Sequence, residues 1–542
     1  MCSRRCPFGA HLCLIALFYA LPAEADLPVH CLRHQVVGEW KFVMGQPSKT
    51  RTSCGHRRPD TEDNQPSRSV VRNRPMQERS VLLSEPNVAS LDSKEGTWTM
   101  VYDEGFEVRV GDWAYFAFSN FTFDRNASGK HNVSNCGETM VGWYSNSART
   151  QFGCYYGERL RSQKVTAALQ AHGIANSSRP AVAVASLARH AYDKPLNHAM
   201  QAHKVASLNQ RLSMLQLGWK ARPMSKWNGR TMRELNDFAG LRRTRHRMQV
   251  VNAAKAPLNL NFLQRRVSIA EKPRTTWDWS NVDGTSFLEP VMDQGDCGSC
   301  YDASTMRMLT ARHKIKTNDT QAVPWSINFP LFCSECNQGC KGGYGFLTTK
   351  WSQEVGLIPA TCMRYNPQGS CQIECDMTSE FNGKKRYRAS NHRYINSWFG
   401  NFHSAADAIQ LELYRNGPVV LSFEPSEDFM FYSEGVFATP AKGGKELPKK
   451  HLDFDREWEQ VDHAVLAVGF GEDEASGKKF WRLQNSWGQD WGEDGYFRIA
   501  RGCDESGIES IPEAADVVED EQNGRQVDAI LAWHQPPKQP TA

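Results

Sequence analysis

The chain has almost no surplus of either charge. Its 64 lysines and arginines face 60 aspartates and glutamates, a formal +4 with histidine neutral over 542 residues. So small an excess argues against a nucleic-acid or membrane-surface partner. The one dense basic run, Arg242-Arg-Thr-Arg-His-Arg247, reads as a solvated loop. Long apolar runs are missing as well. The longest, residues 12–21, is well short of the ~20 residues needed to cross a bilayer. It follows Arg4 and Arg5 and precedes Ala23-Glu-Ala25, the pattern of a secretory leader over residues 1–25. No membrane span is therefore expected. There is no internal repeat. Residues 166–272 contain no cysteine and few turn signals, and helical periodicity runs over 207–217 and 230–242. A helical, basic, cysteine-free stretch between two cysteine-bearing blocks predicts a removable activation segment.

Cysteine itself is plentiful. Of sixteen, three lie inside the leader and thirteen remain. An odd number in an oxidising compartment leaves at least one thiol unpaired or paired between chains. Five N-x-S/T sequons, at Asn120, Asn126, Asn132, Asn176 and Asn318, are glycan acceptors where exposed. Both features predict the secretory pathway, ending in a lysosome-like acidic compartment or outside the cell. Residues 26–165 carry short aromatic and β-branched runs such as Trp40-Lys-Phe-Val43 and Trp113-Ala-Tyr-Phe-Ala-Phe118, which predict an antiparallel sheet or barrel. Within them, residues 45–80 are polar and rich in Arg and Pro and read as a long insertion or disordered loop. Residues 438–459 are charged and Lys-rich and read as an exposed loop open to proteolysis.

The chemistry sits in three motifs. Gln294-Gly-Asp-Cys-Gly-Ser-Cys-Tyr301 places Cys300 at the start of a helix expected over 301–316. A thiolate is the nucleophile, and a free thiol titrates near ~8.5, so it needs help. A helix N-terminus and a histidine can supply it. Val461-Asp-His-Ala-Val-Leu-Ala-Val-Gly469 offers His463 on a strand, and Leu483-Gln-Asn-Ser-Trp-Gly488 offers Asn485 to orient it. Cys, His and Asn in this order form a cysteine-nucleophile triad. Asp302 and Asp462 bring extra carboxylates that would raise the thiol.

These motifs resemble the papain-like cysteine peptidases. Gly38-Glu-Trp-Lys-Phe42, Tyr102-Asp-Glu-Gly-Phe-Glu107 and Cys136-Gly-Glu-Thr-Met-Val-Gly-Trp143 resemble the exclusion domain of the cathepsin C-type dipeptidyl peptidases within that family. The resemblance implies an α+β chain: a two-lobe catalytic domain, one lobe helical and one a β-barrel, with an N-terminal antiparallel β-barrel exclusion domain. It implies an exclusion domain at 26–165, an activation segment at 166–272, a heavy chain at 273–450 and a light chain at 451–542. The implied activity is removal of dipeptides from free N-termini of peptides and proteins, by a zymogen cut by activating proteases and assembled as a homotetramer. A papain-like endopeptidase and an inactive papain-fold binding protein stay open as alternatives.

The resemblance also implies residue roles. Gln294 becomes the oxyanion donor. Gly342, Gly343, Tyr344 and Ile511 line the substrate groove and its S2 pocket. Asp26, the new N-terminus after the leader, holds the substrate ammonium. Chloride is the implied cofactor, with Tyr394 and the position of Phe346 as its ligands; no metal is implied. The implied bridges are Cys31–Cys136, Cys54–Cys154, Cys297–Cys340 and Cys333–Cys362, with Cys371–Cys375 a plausible further one. Cys336 and Cys503 have no implied partner.

Overall fold

Nine strands between residues 38 and 162 pair antiparallel throughout: β1 Gly38–Met44, β2 Gln77–Ser84, β3 Val88–Leu91, β4 Lys94–Val101, β5 Gly105–Val110, β6 Trp113–Asn126, β7 Gly129–Thr139, β8 Gly142–Asn146 and β9 Phe152–Ser162. The computed structural model describes residues 29–57, 66–72, 77–85, 87–126, 129–162, 194–232, 234–235, 274–381, 383–395, 402–439 and 461–534. β1 pairs with both β2 and β9, and β6 pairs with β5 and β8, so eight strands close into a barrel and leave no free edge. β7 lies outside the ring as a hairpin partner of β6. Alternation sends Trp40, Phe42, Phe106, Tyr115 and Tyr155 inward, where they pack ring against ring.

In the middle stretch, residues 194–235, helix α1 runs His198–Met214. It starts before the expected 207 because Asn197 caps it, accepting the Met200 N–H at 2.9 Å. The segment continues through β10 Lys220–Ala221, which pairs with β14 (Tyr432–Glu434). The helix expected over 230–242 lies mostly outside the described residues.

The peptidase block begins with β11 Trp277–Asp278. Its central helix α2, Cys300–Thr317, buries fourteen of its eighteen residues, because it is covered on every side by α3 (Gly345–Val355) and by a large sheet. That sheet runs β12 Tyr387–Tyr394, β19 Glu513–Glu519, β13 Val419–Phe423, β16 His463–Glu472, β17 Lys479–Gln484, β18 Tyr496–Ala500 and β15 Val436–Phe437, with β11 on β16. Only β15–β18 is parallel. Helix α4, Phe402–Asn416, packs on β13 and β16.

Two expectations are corrected. Cys333 pairs with Cys371, and Cys362 pairs with Cys375, so neither Cys333–Cys362 nor Cys371–Cys375 forms. The Cα atoms of the true partners lie 5.0 and 4.6 Å apart, within bridging range, and chain order alone could not choose among four neighbouring cysteines. The bridges Cys31–Cys136, Cys54–Cys154 and Cys297–Cys340 are present as expected. Residues 45–57 are not a loose insertion. Arg51 is buried between Glu335 and Glu354 of the peptidase block, and Cys54 is bridged. Residues 525–534 pack on the body as well. Helix α5, Arg525–His534, buries Val527, Ile530 and Leu531, and Gln526 Oε1 accepts the Arg51 backbone N–H at 2.9 Å.

Candidate active site

α2 places Cys300 as its first residue, so the sulfur stands at the positive end of the helix dipole. The backbone N–H groups of Ala464 and Tyr301 both bond to that sulfur. Ala464 directly follows His463, so helix α2 and strand β16 bring the thiol and the imidazole into one cleft. β16 begins at His463, paired in register with Phe423 of β13. β17 runs antiparallel beside it and ends one residue before Asn485. That pairing sets the His463 Nε2–Asn485 Oδ1 contact at 2.8 Å. Trp487 stacks on the imidazole, with centroids 4.8 Å apart, and is fully buried, so water is kept from that bond. The other ring nitrogen, Nδ1, has no hydrogen-bond partner among the described residues, which leaves it for the thiol.

Burial controls the protonation of both groups. It pushes the Cys300 thiol up to about 11; Ala464 and Tyr301 N–H groups pull it down, and Asp302 and Asp462 push it further up. Burial brings His463 down to about 4, with Asn485 opposing. Burial thus disfavours both the thiolate and the imidazolium, while the N–H groups on the sulfur and the Asn485 contact work the other way. The carboxyl of Asp302 is itself pushed up to about 8 by burial, although Thr348 Oγ1 donates to it.

Gln294 lies beside the sulfur's helix. Its Nε2 donates to the Cys297 carbonyl at 2.8 Å, and Ser486 Oγ donates to its Oε1 at 2.5 Å. Its side chain is thus fixed between the Cys300 motif and the Asn485 motif. Gly342 has φ 116°, which only glycine takes cheaply. A Cβ at Gly343 would come 2.5 Å from Asn337 Oδ1, the atom that accepts the Tyr344 N–H at 2.9 Å. The half-buried backbone of 342–344 is held beside the Cys297–Cys340 bridge, since Gly298 N donates to the Cys340 carbonyl at 2.8 Å. Ile511 is buried in the same apolar cluster as Phe346 and the barrel core. Phe346 and Tyr394 stack at 4.6 Å.

The barrel reaches this groove through the turn between β4 and β5. Tyr344 Oη donates to Glu104 at 3.3 Å, and the Tyr344 and Tyr102 rings lie 5.4 Å apart. The same turn holds the start of the barrel: Asp103 accepts the Cys31 N–H at 2.8 Å and pairs with His30 at 2.6 Å. Asp26 lies outside the described residues. Glu104 was not a candidate from sequence, although it sits inside the quoted 102–107 motif; a carboxylate in a turn has no signature of its own.

Residues 194–235 dock close by. Trp227 is buried edge-on to Trp487 and donates to the Met430 carbonyl at 2.9 Å. Lys226 pairs with Asp293 at 2.9 Å and Arg230 with Asp296 at 2.6 Å, on the loop that leads to Cys300. Among the described residues no cluster of side chains could hold a metal ion, and no helix is long and apolar enough to cross a membrane.

Comparison with known proteins adds two matched families. The papain family cysteine protease model matches residues 273–515, and the cathepsin C exclusion domain model matches residues 26–159. Cathepsin C of Schistosoma mansoni is 28% identical over 508 residues, covering 92% of this chain and 97% of its own. Dipeptidyl aminopeptidase 1 of Plasmodium falciparum is 24% identical, covering 90% and 92%. A gut-specific cysteine proteinase of Caenorhabditis elegans is 30% identical over 46% of this chain and 74% of its own.

Proposed function

The chain belongs to the papain family of cysteine proteases, and we propose that it removes dipeptides from the free amino ends of peptides and proteins. The supporting observation is the contact of the barrel turn at 102–104 with Tyr344, which brings the amino-terminal block to the groove beside Cys300. A wall at that end leaves room for a short stretch of substrate before the scissile bond. The similarity over nearly the full length to a cathepsin C and a dipeptidyl aminopeptidase supports the same reading.

In this reading the Cys300 sulfur attacks the second peptide carbonyl from the free end. Its proton passes to His463 and then to the departing amine as the C–N bond breaks. Water hydrolyses the thioester with His463 as base. Gln294 and the Cys300 N–H donate to the oxyanion; loss of one such donor costs about 10²–10³ in rate. Gly342 and Gly343 let the substrate backbone approach. Asp26 pairs with the substrate ammonium. Release of residues 166–272 and a cut in 440–460 by activating proteases precede activity, and the mature form is a homotetramer in a lysosome-like or extracellular setting.

The test pairs a free-amine dipeptidyl substrate with its N-acetylated form. Cleavage of the free amine alone is expected; efficient cleavage of the acetylated peptide would instead make the protein an endopeptidase. Cys300→Ala should lower turnover on the order of 10⁴-fold or more while leaving the fold intact.

A further inference from the structure

Tyr394 and the position of Phe346 carry the expectation of a bound chloride beneath the groove. The residues around them do not fit one. Glu513 begins β19, in register with Tyr394 of β12. Its carboxyl is buried and accepts the backbone N–H of Phe346, the donor that would remain for an anion where the family's second tyrosine is replaced by phenylalanine. A Cβ at Gly345 would meet Glu513 Oε2 at 2.2 Å and Thr305 Oγ1 at 2.5 Å. Only glycine at 345 leaves room for this carboxyl. Glu513 Oε2 and Thr305 Oγ1 are buried with no hydrogen-bond partner among the described residues. The stacked Phe346 and Tyr394 rings border the same place. A chloride would compete for the Phe346 N–H and would have to displace the Glu513 carboxyl within a close-packed interior, where displaced volume has nowhere to go.

We propose that the Glu513 carboxyl is a built-in replacement for chloride at the base of the S2 pocket, positioning the 344–346 turn beside Ile511 and making the peptidase independent of halide. The proposal rests on the dipeptidyl reading only for its activity readout. Burial pushes Glu513 up to about 8, with the Phe346 N–H opposing. In an acidic compartment it is therefore a neutral acid that still accepts the Phe346 N–H and can donate its own proton, so the site needs no counter-ion. Glu513 is a positioning residue: it touches the backbone that shapes the pocket, not the reacting atoms.

The test uses the full chain, processed to the active form and exchanged into chloride-free acetate or sulfate at constant ionic strength. For the unaltered protein, kcat/KM on a free-amine dipeptidyl substrate should change less than about twofold when chloride is added. Glu513→Val should raise KM about tenfold without halide, and chloride or bromide should restore it. Glu513→Gln, which keeps the shape and the acceptor, should stay halide-independent. Thermal melting gives a readout that needs no turnover: bromide should leave the unaltered protein's Tm unchanged and raise that of Glu513→Val by a few degrees. A halide-dependent Tm or a tenfold chloride activation of the unaltered protein would overturn the proposal, as would Glu513→Val that folds but ignores halide. If Glu513→Val fails to fold, the halide response of the unaltered protein and of Glu513→Gln still decides. A protein whose Tm ignores halide but which never cleaves the free-amine substrate would sink the dipeptidyl reading and leave Glu513 in place.

Discussion

Two segments dock on the same peptidase block, and they do so with opposite chemistry. The barrel is joined by buried, paired polar groups. Arg51 lies between Glu335 and Glu354, Arg149 pairs with Asp520 at 2.6 Å, and Glu107 meets His392 at 2.9 Å, with all of these side chains no more than 8% exposed. Residues 194–235 are joined by a buried apolar face that includes Trp219 and Trp227, and by half-exposed pairs: Lys226–Asp293, Arg230–Asp296 and Lys204–Glu427. Opening a buried pair strands a charge in a poor dielectric, whereas opening a rim pair returns both ions to water. The barrel seam should therefore be the harder of the two to open.

The largest effect should follow from removing Arg51. Arg51→Ala leaves Glu335 buried with only the Trp351 N–H at 3.3 Å in view, and should cost about 3–5 kcal/mol. Urea melts read the loss, and gel filtration of the processed enzyme should show the barrel leaving. A processed Arg51→Ala enzyme that keeps both its barrel and its Tm would erase the contrast between the seams. Trp227→Ala comes next. Losing a fully buried indole costs up to about 3–5 kcal/mol, but here the loss should fall on the segment alone. Under the proposed processing the uncut chain should be cut and activated sooner, while the form from which residues 166–272 have been released should keep its kcat/KM.

The same contrast separates what local sequence reveals from what it hides. Cys300, His463 and Asn485 were readable because each lies in its own short motif, and strand pairing then had only to bring the motifs together. The barrel strands were readable from alternating aromatic runs. Arg51 was not, because its partners lie about three hundred residues away and an Arg/Pro-rich stretch looks solvated until those partners are known. The Cys333 and Cys362 bridges were mispaired for a related reason: four half-cystines share one small region, and only the chain path through 362–375 decides which face each other. Glu513, two residues past Ile511, looks like any surface glutamate in a strand until the glycine opposite it is seen.

A pH titration sharpens the comparison at intermediate size. Burial pushes His392 down to about 4; Arg109 acts the same way, Glu107 opposes, and Lys350 adds to the lowering. Burial alone would raise the Glu107 carboxyl, but Arg109 and His392 outweigh it and hold it well below the usual range. For His392 the unfolded chain takes up its proton first, so between about 6.5 and 4 the folded state binds fewer protons and stability falls as pH falls, by roughly 3 kcal/mol if complete. For Glu107 the stability is present above the ordinary carboxylate pKa and is lost only as pH drops through its lowered folded value. His392→Asn should therefore flatten the decline of Tm between pH 6.5 and 4, and an unchanged slope would show that other groups carry it.

The smallest effect belongs to the rim of the activation segment. Lys226 and Asp293 are 22% and 49% exposed, and Arg230 and Asp296 are 34% and 72%. Pairs so wet are worth about 0.2–1 kcal/mol each, and a Debye length near ~3 Å in 1 M salt removes most of that. The double variant Lys226→Ala, Arg230→Ala should keep the Tm of the uncut chain within a few degrees and speed release of the cut segment by about two- to thirtyfold, since two such pairs total about 0.4–2 kcal/mol and 1 kcal/mol is a factor of about five. In 1 M salt the unaltered precursor should release its segment at the double variant's rate, and added salt should do little more to the variant itself. Release measured by quenching between a labelled segment and the tryptophans around Trp487 reads this directly. If the double variant stays as salt-sensitive as the unaltered precursor, the screening acts on Lys204–Glu427 and Arg211–Asp428 farther along α1, and the hold on the segment lies at its helix rather than beside Cys300.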